Sequence, residues 1–229
     1  MVTININDKK YRVPERLTIQ QYQAALQFDW EDPKYYPMIV AQLIGAPLKQ
    51  LTGAPEEALV LAIALVVKTM NDRTECDMID VANIKFGEFV DMDVYLALGL
   101  ERHLEDIAAI ICPKAKWADE VMWAIDKYVQ FRTYTYKQYK VLFGLRDQDI
   151  EKAEQEGKTE VDDKMQVARS WYKVIVGLAG EDILKIDEVT EQPLTKALNF
   201  MALQKEKVME ENERQLQKQR QYDLQRNRR

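Results

Sequence analysis

Histidine is nearly missing from this chain: His103 stands alone among 229 residues. Any triad with a histidine base would have to use it, and a His-rich metal site is excluded. It lies in ERHLED, among acids, where a surface ion pair is the expected role. Cysteine is scarce as well. Cys76 and Cys112 are far apart and fit no ligand spacing, so a reducing compartment is the simple expectation. Cys112 is a candidate nucleophile, but it follows IAAII, and a small buried apolar residue is the expected reading. The eight glycines form neither GxGxxG nor GxxxxGK[ST], so no phosphate-cradling loop is visible. With only seven prolines beside them, turn material is too thin for an all-β sandwich. The longest apolar run, ALVLAIALVV (Ala58–Val67), is half of the roughly 20 residues a bilayer requires. It is expected as a fully buried helix rather than a membrane span. MVTININDKKYRVP has no apolar signal-peptide core.

What is present points to helices. Apolar residues make up 47%, enough for a substantial core. The expected fold is mainly α, with a short N-terminal β-hairpin and a long polar C-terminal helix. Val2, Ile4 and Ile6 alternate with Thr3 and Asn5. NDKK then turns the chain, and Pro14 stops the second strand. Thr18 is a candidate N-cap for IQQYQAALQF. A second helix is expected from Pro33 or Pro37 to Gly45, with GAPLKQLTGAP as a connector. Pro55 opens the long apolar helix, and Glu56 and Glu57 suit its N-terminus. Phe86, Phe89, Val90, Val94 and Ala97 recur at the helical period. Further helices are expected over 100–112 and 117–143, from about Val161, and from Pro193. RDQDIEKAEQEGKTEVDDK is expected as an exposed, mobile connection, and GEDILKIDEVTEQP as another connector. Residues 1–203 then form one helical domain, with the hairpin at 1–14, and 204–229 form an arm.

Do any residues carry chemistry? KFGEFVDMDVYLALG places Asp91 and Asp93 two apart in an apolar stretch. On a helix they point about 200° apart, whereas Glu88 and Asp91 can share a face. A metal-dependent hydrolase using Glu88, Asp91 and Asp93 is the enzymatic alternative. No HExxH or ExxH supports it, so no metal, cofactor or catalytic residue is assigned. Either aspartate could instead cap a neighbouring helix. Trp117, Trp123, Tyr128, Phe131, Tyr134, Tyr136, Tyr139 and Phe143, with Arg132, Lys137, Lys140 and the basic tail 204–229, could bind single-stranded nucleic acid, the aromatics by stacking and the tail by charge. The net charge of −6 opposes that. Aromatics at this spacing serve more often as core and interface anchors, which makes Tyr134, Tyr136 and Tyr139 candidate partner-binding residues.

The last segment stands apart by composition. From 204 to 229 there are eight Lys/Arg against five Asp/Glu, a net of +3, which leaves −9 on residues 1–203. Its apolar residues thin to Val208, Met209, Leu216, Tyr222 and Leu224. A helix this polar is frayed, projecting or paired with something else. The reading that uses those five residues is an arm for a partner protein or a homo-oligomer.

Two stretches resemble a known group. IKFGEFVDMDVYLALGLERHLEDIAAIICPK (Ile84–Lys114) is similar to small helical proteins of large tailed bacteriophages. In these, an apolar-Gly-x-Phe-Ile/Val-Asp-x-Asp segment precedes a helix and a Pro-containing turn. WYKVIVGLAGEDILKIDEVTEQPLTKALNFMALQKEK (Trp171–Lys207) resembles their closing segment. Together the stretches cover about a third of the chain. The resemblance implies a non-enzymatic role in virion morphogenesis, as a structural subunit or a tail-assembly chaperone. Its partners would be other virion or tail proteins, met in the host cytoplasm. It also implies that Asp91 and Asp93 are structural, lining a polar seam between helices.

Overall fold

The computed structural model describes residues 2–144 and 160–226, the side chains at 160–164 and 223–226 excepted. Most of the mobile connection expected at 146–164 therefore lies outside the described residues. The architecture is mainly α, with one two-stranded antiparallel hairpin. Strands β1 (Val2–Ile6) and β2 (Lys9–Val13) pair Val2 with Val13 and Ile6 with Lys9. The turn between them is Asn7–Asp8, both at positive φ (49° and 60°). Two such residues match the right-handed twist of the flanking strands, and Asn and Asp tolerate that region. Ile4, Ile6 and Val13 turn one face of the ribbon into the core.

Eleven α-helices follow among the described residues. Helix α1 (Ile19–Leu26) starts in a capping box, with the Thr18 hydroxyl accepting from the Gln21 N–H at 3.1 Å. Helix α2 (Tyr36–Ile44) is entered through a 3₁₀ turn at Pro33–Tyr35 and ends at Gly45, whose φ of 67° closes it. The connector after Gly45 holds a single turn of helix, α3 (Leu48–Leu51), which buries Leu51. Helix α4 (Glu56–Met70) follows Pro55 and packs on α2 and the hairpin.

The expectation of a fully buried α4 is overturned. Leu59, Ala62, Val66 and Met70 face the core, while Val60, Leu61, Ala64 and Val67 are exposed. An unbroken apolar run fixes that a helix forms, but the number of neighbours decides how much of it is covered.

Helix α5 (Phe86–Leu98) is the hub, touching α6 (Leu100–Ile111), α9 (Glu160–Leu178), α10 (Ile186–Thr190) and α11 (Leu194–Arg226). Gly99, at φ 111°, breaks α5 from α6, a conformation only glycine adopts without strain. The expected single helix over 117–143 is two: α7 (Ala118–Gln138) and a short α8 (Lys140–Phe143), parted at Tyr139. That break folds Phe143 onto Tyr136, ring centroids 4.2 Å apart. The connector expected at 180–193 likewise carries a 3₁₀ turn (Ile183–Lys185) and α10. One hydrophobic cluster joins both parts of the chain, running from Ile4, Leu43 and Leu59 to Phe89, Tyr128 and Leu198.

Candidate functional site

The segment Phe86–Asp93 assigns a task to nearly every residue. Phe86 and Phe89 are fully buried and meet Trp171 of α9 edge-on, at centroid distances of 5.9 and 6.0 Å. Gly87 gives room to α10: a Cβ there would lie 2.8 Å from the Thr190 Cβ. Glu88 closes the N-terminus of α5, its carboxylate accepting from the Lys85 N–H at 3.0 Å. The backbone adds a bridge, with the Phe86 N–H donating to the Gln192 carbonyl (2.8 Å) and the Leu194 N–H to the Ile84 carbonyl (3.0 Å). The two stretches quoted for the phage resemblance are thus packed against each other.

Asp93 is the polar centre of this region, 1% exposed. Its carboxylate accepts from Arg132 Nε at 2.5 Å, from the Tyr136 hydroxyl, and from Trp171 Nε1 at 3.1 Å. Three donors from α7 and α9 therefore converge on one acid of α5. Burial opposes the Arg132 charge, yet Asp93 and Tyr136 outweigh it and the guanidinium pKa is raised. Burial, then the Asp93 charge, raises the phenol pKa of Tyr136. Tyr128, beside them, is raised by the same two causes, and its hydroxyl donates to the Phe89 carbonyl at 3.2 Å. No buried side-chain N or O atom among the described residues lacks a partner, as a charge held in a core requires.

The three acids of the hydrolase alternative do not converge. Glu88 caps a helix, Asp93 is buried against Arg132, and Asp91 is exposed on another side of α5. Among the described residues neither aspartate caps a neighbouring helix. Among the described residues no group of three or more His, Cys, Asp or Glu could hold a metal ion. His103 pairs with Asp106 (Nδ1 to Oδ2, 2.9 Å) and stacks on Tyr95 at 4.8 Å. The expected acidic partner is there; the ring contact was not foreseen. Cys112 is buried, and burial pushes its thiol up to about 12, which makes it a poor nucleophile. Despite their sequence separation, Cys76 and Cys112 lie within thiol–thiol hydrogen-bonding reach.

The candidate partner residues divide. Tyr136 belongs to the Asp93 seam. The Tyr139 hydroxyl donates to Asn199 of α11 at 2.8 Å, so it holds the root of the last helix. Tyr134 is the one of the three that is open to solvent. The supposed aromatic face is therefore mostly internal, because α9 and α11 return to cover it. On α11, Leu194 and Leu198 are buried on the body, and from Leu203 to Tyr222 every residue is exposed. Val208, Met209, Leu216 and Tyr222 are bare. Leu224 lies outside the described side chains.

At 100° per residue, Val208, Met209, Leu216 and Tyr222 share one side of α11 with Asn212, Gln215 and Gln219. Glu206, Lys207, Glu210, Glu213, Arg214 and Lys218 occupy the other. Composition suggested a helix polar all round; the angular order shows a stripe that is uncharged from 206 to 222, with Lys205 at its root and Glu211 and Arg220 along its two edges. At its root, Tyr136, Phe143, Trp171, Val174 and Met201 line an open cleft of about 510 Å³. The Lys205 ammonium reaches the Leu142 carbonyl there, at 3.5 Å.

Comparison with protein-family models, with curated proteins and with solved structures finds no match to this chain. No helix of the described residues is long and apolar enough to cross a membrane.

Proposed function

We propose that this chain is a non-enzymatic protein-interaction subunit of tailed-phage morphogenesis, either a virion structural subunit or a tail-assembly chaperone. It engages another virion or tail protein through the uncharged stripe of α11. The observation that carries the interaction role is the exposed stretch Leu203–Tyr222, about 30 Å of helix, which meets its own body at the root through Lys205 and is bare beyond it. An isolated helix of that length is marginal in water, and four bare apolar residues on one side are the anchors a partner groove takes. The phage context is supported by the two resembling stretches, which form a single packed unit around Asp93. The Tyr139–Asn199 bond and the buried Leu194 and Leu198 fix the root, so the arm leaves the body at a set angle.

The test is affinity capture from cells in which the particle assembles, using the full chain and a chain ending at Leu203. A virion or tail protein captured by the full chain and lost with the truncation is expected. Equal capture by both would move the binding surface off the arm. Capture of no particle protein by either would remove the phage reading.

A further inference from the structure

The bare side of α4 is not used by this reading. Glu57, Val60, Leu61, Ala64, Val67 and Lys68 are all exposed, and they follow the i, i+3, i+4, i+7 spacing of one helix face. Leu61 is 56% exposed and Val60 45%, high values for branched apolar side chains on a helix that contributes four residues to the core. No charge interrupts the face between Glu57 and Lys68. Neither of those forms an ion pair among the described residues.

We infer that this face binds a second copy of the chain, the two α4 helices packing antiparallel across a two-fold axis. The charge order selects that occupant. In the antiparallel arrangement Glu57 lies opposite the partner's Lys68, and Lys68 opposite the partner's Glu57. Leu61 then faces the partner's Ala64, with Val60 and Val67 flanking that contact on the same face. A parallel pair would set Glu57 beside its own copy and Lys68 beside its own. The face is self-complementary, which an isologous dimer demands. Ala64 near the centre lets the axes approach to the lower end of the roughly 8–10 Å range. The charges also suit the helix dipole, with acid at the N-terminus and base near the C-terminus, so a single helix carries both halves of the match. One 15-residue helix pair is a small interface, so its affinity falls around the micromolar range. The inference does not depend on the arm or on a phage context.

Sedimentation velocity of the full chain between about 1 and 200 μM spans that range of affinity. A concentration-dependent monomer–dimer equilibrium is expected, and Leu61→Glu removes it while leaving the circular dichroism spectrum unchanged. Glu57→Lys alone and Lys68→Glu alone each weaken the dimer about tenfold, through two like-charge pairs per dimer. The double exchange Glu57→Lys with Lys68→Glu restores it, a rescue that a fold defect or a different occupant does not produce. A chain monomeric at every concentration overturns the inference. So does a dimer that survives Leu61→Glu and disappears when 204–229 is removed, because that dimer uses the arm. If Leu61→Glu fails to fold, the charge-exchange pair decides alone.

Discussion

Asp93 is itself closed to water and accepts three hydrogen bonds, so its loss takes the shared acceptor from a guanidinium, a phenol and an indole at once. Asp93→Ala is expected to cost about 3–5 kcal/mol in urea unfolding, the usual penalty for breaking a buried ion pair from one side. Asp93→Asn keeps an acceptor and is expected to cost less. Arg16 plays a comparable part at the start of α7. Its guanidinium binds both oxygens of Asp119 (2.7 Å to the nearer), reaches Glu120 at 2.9 Å and lies over the Trp117 ring at 5.2 Å.

Burial alone would raise the Asp119 pKa, but the hydrogen bonds and charge of Arg16, with Thr74, hold it below the usual carboxylate range. A depressed carboxylate pKa contributes stability above its unfolded value of about 3.9, and that contribution is lost as pH falls through the folded value. Arg16→Gln removes the charge that compensates the burial and leaves Thr74. Its destabilisation, about 1–3 kcal/mol, is therefore expected to be largest above about pH 5 and to shrink on acidification. Thermal unfolding of both chains between pH 3 and 7 checks this.

At the scale of elements, what could be read from the sequence was local and what could not was long-range. The hairpin follows from alternation and the turn at NDKK, of which Lys9 and Lys10 prove to belong to β2, α1 follows from Thr18, the end of α2 from Gly45, and the α5–α6 break from Gly99. Each is decided by residues within a few positions. The role of Asp93 was legible only in outline. The 200° rule separates it from Asp91, but its three donors come from 39, 43 and 78 residues away. The same distance in sequence hid Tyr136 and Tyr139, which look like an aromatic surface until α9 and α11 fold over them. The bare face of α4 escaped for the opposite reason, because hydropathy counts the residues and not their neighbours.

The arm was visible as composition, and its stripe emerges once the helix is given its 100° step. Because every described side chain past Leu203 is exposed, removing 204–229 is expected to leave the melting temperature within about 2 °C, the range of exposed substitutions that touch no core. A fall of several degrees in differential scanning calorimetry would mean that the arm packs on its own body.

For the molecule as a whole, two different contacts are proposed on a body built around the α5 hub, the stripe of α11 and the exposed face of α4. A subunit with one contact for its own copy and another for a different protein is suited to assembly. Counting copies of this chain by quantitative mass spectrometry, in purified particles and in the lysate that produced them, tests that role most directly. A constant number per particle is the result for a structural subunit. Abundance in lysate bound to a tail protein, with none in particles, is the result for a chaperone. A chain found with neither particles nor any of their proteins would contradict the assembly role.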